Sequence, residues 1–130
     1  MAKTGSLIMR KSCLRLVFVL FLVRPVMAGQ ADVVDVTVQQ SFDHSYQFEV
    51  SVRHNDEGWN HYADRWEVLA PDGTVLATRV LMHPHVDEQP FTRSLSGVSI
   101  PKGIGTVTIR AHDLVHGYGG KTITVELPGS

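Results

Sequence analysis

From residue 31 onward, apolar side chains recur at every second position rather than every three to four. Tyr46, Phe48, Val50 and Val52 alternate with Gln47, Glu49, Ser51 and Arg53, the pattern of a strand buried on one face. Val34, Val36 and Val38 do the same ahead of it, and Trp66 and Val68 after it. Leu76, Val80 and Met82 share one parity, Val107, Ile109 and Ala111 another, and Ile123 with Val125 closes the series. Turn-forming residues separate these runs. Pro71-Asp72-Gly73 is the clearest case, because Pro presets φ and Gly accepts φ > 0. The spacing predicts strands over 32–40, 45–54, 62–69, 74–83, 91–98, 104–112 and 120–127. No stretch of ten residues carries a helical stripe, and there are no internal repeats. Seven short strands within one small domain predict an all-β fold, an antiparallel β-sandwich of immunoglobulin or fibronectin-III type. A small closed barrel is the alternative. The expected core comprises Val50, Val52, Trp66, Val68, Val80, Val107, Ile109 and Val125.

The first 28 residues follow a different rule. Arg10, Lys11 and Arg15 precede a continuous apolar run over 16–23, and Val26-Met27-Ala28 supplies a cleavage-compatible end just after Pro25. These are the three parts of a secretory signal, and the run is far shorter than the roughly 20 residues that span a bilayer. The expectation is a signal peptide over 1–28, cleaved after Ala28, and a single domain over 29–130. A retained membrane anchor is the competing reading, with Arg24 in its favour. The only cysteine, Cys13, precedes the apolar run and would leave with it, so the mature domain is expected to hold no thiol and no disulfide. A periplasmic or secreted location follows, with no membrane attachment after cleavage.

Charge narrows the partners. Five of the twelve Lys and Arg residues lie in 1–28, which has no Asp or Glu. The remainder carries seven basic groups against thirteen acidic ones, a formal charge of −6. A net-acidic domain without a basic run gives no reason to expect nucleic acid or anionic lipid as a partner. Arg65, Arg79, Arg93 and Arg110 are expected on outward strand positions, in cross-strand ion pairs with residues such as Glu49 and Glu67.

All seven histidines belong to that acidic part. Following the strands alternately up and down the sandwich brings His54, His61, His83, His85, His112 and His116 to one end and leaves His44 at the other. Parity sets Trp66, Val68, Val80, Met82, Ile109 and Ala111 inward. His61, His83 and His112 then point outward from the ends of three neighbouring strands, about 4.8 Å apart. These three are expected to be the central ligands of a metal ion, with His85, His116 and His54 as nearby alternatives. His83-Pro84-His85 adds an H-x-H pair whose first residue is biased to an extended conformation by the proline. Imidazole suits copper or zinc, and Asp56, Asp87 and Asp113 are available as carboxylate ligands or as acceptors behind the histidines. Because imidazole ligates in its neutral form, ion affinity is expected to fall as pH drops through about 6.5, the unperturbed His value.

The stretch containing Trp66-Glu67-Val68, Pro71-Asp72-Gly73, His83-Pro84-His85 and His116-Gly117-Tyr118-Gly119-Gly120 resembles a group of small exported bacterial proteins of unestablished activity. Ala111-His112-Asp113, His116, Gly119 and the final strand are also loosely similar to periplasmic copper-binding domains of the copper-resistance type. That resemblance implies a sandwich and a copper ion. It departs from the pattern in having no His at the expected mature N-terminus and no Met-rich loop. Two function classes stand side by side. One is an exported metal-binding or metal-delivery domain. The other is a periplasmic adaptor that docks a partner protein through the same loops, its histidines incidental or pH-sensing. No nucleophile elbow or cysteine nucleophile points to an enzyme.

Overall fold

The computed structural model describes residues 29–129; the expected signal peptide and Cys13 lie outside them. Seven strands run in chain order: β1 Asp32–Gln40, β2 Tyr46–Arg53, β3 Ala63–Leu69, β4 Val75–Val80, β5 Phe91–Val98, β6 Thr106–Asp113 and β7 Ile123–Glu126. They form two antiparallel sheets, β1-β2-β5 and β4-β3-β6-β7. This is the two-sheet sandwich that the alternation predicts, and it is not a closed barrel.

The core lies between the sheets. Phe48, Val50 and Val52 of β2 face Trp66 and Val68 of β3 and Val107 and Ile109 of β6, all buried. Val125 is partly buried against this cluster. Val80 differs from its expected place. It pairs with Arg65, while Trp66 pairs with Arg79 and Val68 with Ala77. Cross-strand partners share a face, so Ala77 and Arg79 face the core side and Val80 faces outward, 54% exposed. Leu81 is buried in place of Val80 and Met82. Arg79 is therefore not on the outward face assigned to it.

A second departure shapes the site. The register between β3 and β6 shifts between Ala63 and Arg65. This bulge inserts one residue and reverses parity beyond it. Ala63 turns into the core, and His61, two residues earlier, no longer shares the outward face of His112.

The two sheets are joined at the start of β1. Val33 N donates to Lys121 O (2.9 Å), and Lys121 N donates to the Asp32 carboxylate (2.7 Å). A Cβ on Gly120 would overlap the Ala31 carbonyl and stand 2.8 Å from Asp32 Oδ1, so this crossing requires glycine. It lays residues 29–31 against the β6–β7 loop.

Candidate metal centre

The alternation of β2 and β6 does not stop at their last apolar residues. Tyr46, Phe48, Val50 and Val52 are followed on the same parity by His54, and Val107, Ile109 and Ala111 by Asp113; all are buried. The upper end of the core is thus closed by an imidazole from one sheet and a carboxylate from the other. Above them, an isolated bridge between Gly58 and His61 folds the β2–β3 loop so that His61 enters from the side. A second bridge, Asp113 to Gly117, turns the β6–β7 loop and brings in His116. The rings of His54 and His61 are 4.8 Å apart, and those of His61 and His116 are 4.9 Å apart.

His54, His61 and Asp113 offer ligand atoms that all lie within 4.8 Å of one another. Asp113 carries two separate duties. Its Oδ1 accepts from the backbone N–H groups of Val115 (3.0 Å) and His116 (2.7 Å) and lies 3.2 Å from His116 Nδ1 and 3.3 Å from His61 Nε2. Its Oδ2 is buried with no hydrogen-bond partner, and so is His61 Nε2. His54 Nε2 is 3.9 Å from Asp113 Oδ2. Two donors on one tetrahedral zinc or copper ion stand about 3.4 Å apart, so these atoms need only small side-chain rotations to share an ion. Burial works against the Asp113 charge, but the N–H donors of His116 and Val115 and the neighbouring His54 and His116 outweigh it, holding this carboxyl below its ordinary value.

Carboxylates also stand behind the imidazoles. His54 Nδ1 is held by Asp56, and His61 Nδ1 faces Glu57 at 3.5 Å. In His61 this leaves Nε2 facing Asp113 Oδ1, the arrangement that fixes tautomer and orientation in metal-bound histidines. His54 Nε2 meets the Gly29 carbonyl at 2.7 Å, a contact it would release on binding an ion. Asp56 is itself a hub: its Oδ1 accepts from Ala63 N (3.0 Å) and its Oδ2 from His85 N (2.7 Å). Gln89 adds a further tie, accepting from His54 N (2.9 Å) and donating to His85 O (2.8 Å).

The structure therefore gathers His54, His61 and His116, with Asp113, from the six expected histidines. It does not gather His61 with His83 and His112. His112 sits on the outer face of β6 with Nδ1 2.5 Å from Asp64 Oδ1 and its ring edge on Tyr118. His83 is exposed and packs beside His85, ring centroids 4.6 Å apart. His85 is buried, stacked on Phe91 with Arg93 Nη2 2.8 Å from its Nε2. Burial, Arg93 and His83 together push its imidazole below the ordinary value, and a guanidinium at Nε2 opposes a metal there. The bulge in β3 and the early end of β4 at Val80 account for the separation.

The outer face near this end carries a polar array. Glu67, buried, accepts from Arg65, Arg110 and the Tyr118 hydroxyl, and the Arg110 guanidinium lies 3.7 Å from the Tyr118 ring centroid. Burial opposes the charge of Glu67, and these three donors more than compensate, holding its carboxyl low. The array fastens the β6–β7 loop to the sheet. Of the arginines predicted in cross-strand pairs, Arg110 behaves so, reaching Glu67 from β6; Arg65 pairs instead with Asp64 and Glu67 of its own strand, and Arg93 lies 3.5 Å from Glu88. A cleft of about 480 Å³ opens at the opposite end, beside His44, Tyr46 and Lys102, away from the histidine cluster.

The chain is 41% identical over 97 residues to a protein from Halomicrobium mukohataei named "Putative lipoprotein". The match covers 75% of this chain and 47% of the relative, so the chain spans about half the length of the curated protein it matches. No family model matches the chain, and no solved structure does. The likeness to copper-resistance-type domains gains no support from these comparisons.

Proposed function

We propose that this chain is an exported domain that binds a transition metal at His54, His61, His116 and Asp113. The supporting observation is the pair of buried atoms Asp113 Oδ2 and His61 Nε2, which lack hydrogen-bond partners and belong to a cluster whose ligand atoms lie within 4.8 Å of one another. A buried polar group without a partner is destabilising by about 1–3 kcal/mol, and more for a charged one. A cation between the two would satisfy both. Neutral imidazoles with one carboxylate suit Zn²⁺ or Cu²⁺ rather than Ca²⁺ or Mg²⁺. Export to the periplasm or beyond is supported by the leader-like pattern of residues 1–28 and by the lipoprotein name of the relative.

A second reading has its own observation. Trp59, 67% exposed, Val115, 59% exposed, and Met82, Val86 and Leu114 surround this end on three loops, as a surface for a partner protein would. Calorimetry with Zn²⁺ and Cu²⁺ separates the two. Asp113→Asn keeps an oxygen to cap the loop but replaces Oδ2 by an N–H donor. The expected result is binding well below millimolar Kd, weakened at least tenfold by Asp113→Asn and by His61→Ala. Binding no tighter than millimolar, or unchanged in both variants, would favour the partner-docking reading.

A further inference from the structure

Gly29 is seated among the histidines. Its carbonyl meets His54 Nε2 at 2.7 Å. A Cβ at this position would overlap His116 Cε1 and stand 3.0 Å from His116 Nδ1, and its φ of +121° is one that side chains rarely adopt. Ordinary bond lengths then keep the Gly29 nitrogen within about 5.5 Å of that ring nitrogen. The segment is held there by Val33 and Asp32 on Lys121 and by the close approach of Ala31 to Gly120. Independently of any of this, the leader pattern places the cut between Ala28 and Gly29.

We infer that removal of the leader creates a ligand for the metal centre: the α-amine of Gly29, acting with its carbonyl oxygen. This rests on the metal-binding reading above. Hydrolysis of the Ala28–Gly29 bond consumes one water, leaving a carboxylate on Ala28 and a primary amine on Gly29. Before the cut that nitrogen is an amide, whose lone pair is delocalised into the carbonyl and is a poor donor. After it, the amine and the carbonyl would offer an ion a five-membered chelate beside the rings of His54 and His116. An α-amino group gives up its proton at about 7.7–8.0, far below a lysine, so a neutral donor is accessible near neutral pH. Glycine is the residue that can enter this space, and the ties from Val33 and Asp32 to Lys121 of the β6–β7 loop hold it in place before any ion arrives. The uncut precursor lacks this chelate, so tight metal loading is reserved for the exported, processed protein.

The test expresses the full chain in an exporting bacterial host and identifies the N-terminus by intact mass. A second form carries one alanine inserted between Ala28 and Gly29, which moves the amine one residue away. The unaltered protein is expected to begin at Gly29 and to bind Cu²⁺ at least tenfold more tightly than the inserted form. Paramagnetic resonance on unaltered protein grown with ¹⁵N-glycine is expected to show changed nitrogen couplings to Cu²⁺, a readout independent of how the inserted form folds. Equal affinities with spectra insensitive to the label, or a mature terminus other than Gly29, would overturn the inference while leaving the histidine site intact. Absence of Cu²⁺ and Zn²⁺ binding in both forms would remove the metal reading as well.

Discussion

Asp56 accepts hydrogen bonds from a side chain on the end of β2, a backbone N–H at the start of β3 and a backbone N–H in the β4–β5 loop. It is 3% exposed. Truncation to alanine would leave His54 Nδ1 and the N–H groups of Ala63 and His85 without their acceptor inside the protein. Asp56→Ala is therefore expected to destabilise the fold by about 3–5 kcal/mol, measured by urea unfolding with unchanged slope. A loss below about 1 kcal/mol would show that these contacts are replaced by water. At this scale the sequence is informative in one respect: His54 and Asp113 occupy the next inward positions after Val52 and Ala111, so alternation alone marks them as buried polar residues. The roles of Asp56 and Gln89 leave no such mark, because both lie in loops where no periodicity operates.

At the scale of elements, all seven strands lie where the alternation predicts them, though β4 ends early at Val80 and β7 begins only at Ile123, and the other errors are of parity. In the fourth run Val75, Ala77 and Leu81 are apolar on one parity and Leu76, Val80 and Met82 on the other. Alternation cannot choose between two apolar faces, and pairing with β3 decides it instead. The bulge between Ala63 and Arg65 has no glycine or proline to announce it, yet it moves His61 from His112 to His54. The crossing of residues 29–31 under the β6–β7 loop offers the sharpest test at this level. Gly120→Ala pushes a methyl group into the Ala31 carbonyl and is expected to destabilise by about 1–3 kcal/mol through overpacking. Metal affinity should fall in parallel, since Gly29 moves with that strand. Full stability with undisturbed binding would show that the crossing adapts freely.

For the molecule as a whole, titration ties the two ends of the pH range to different groups. His85 holds its imidazole below the ordinary 6.5, so the unfolded chain takes up a proton that the folded one resists. Stability contributed by neutral His85 is present above about 6.5 and declines as pH falls from there towards the depressed folded value. Asp113 and Glu67 are depressed below 3.8 and 4.5. Their contributions persist to lower pH and are lost as pH falls through the folded values. Without added metal, the thermal midpoint is expected to decline from pH 7 to 5, and again below 4. His85→Gln should flatten the first limb and leave the second. Identical profiles for both proteins between pH 7 and 5 would remove His85 from this account.

The two oxygens of Asp113 have a consequence for how such a centre arises. One oxygen closes the turn that begins the β6–β7 loop, a task that exists with or without an ion. Selection for a folded domain therefore retains the carboxylate on structural grounds, and its second oxygen comes along unused. Acquiring a metal then requires only that imidazoles gather around an acid already in position. Losing the metal requires only that they drift away. Asp113 and His54 belong to the architecture, and the histidines at the rim, His61 and His116, are free to evolve.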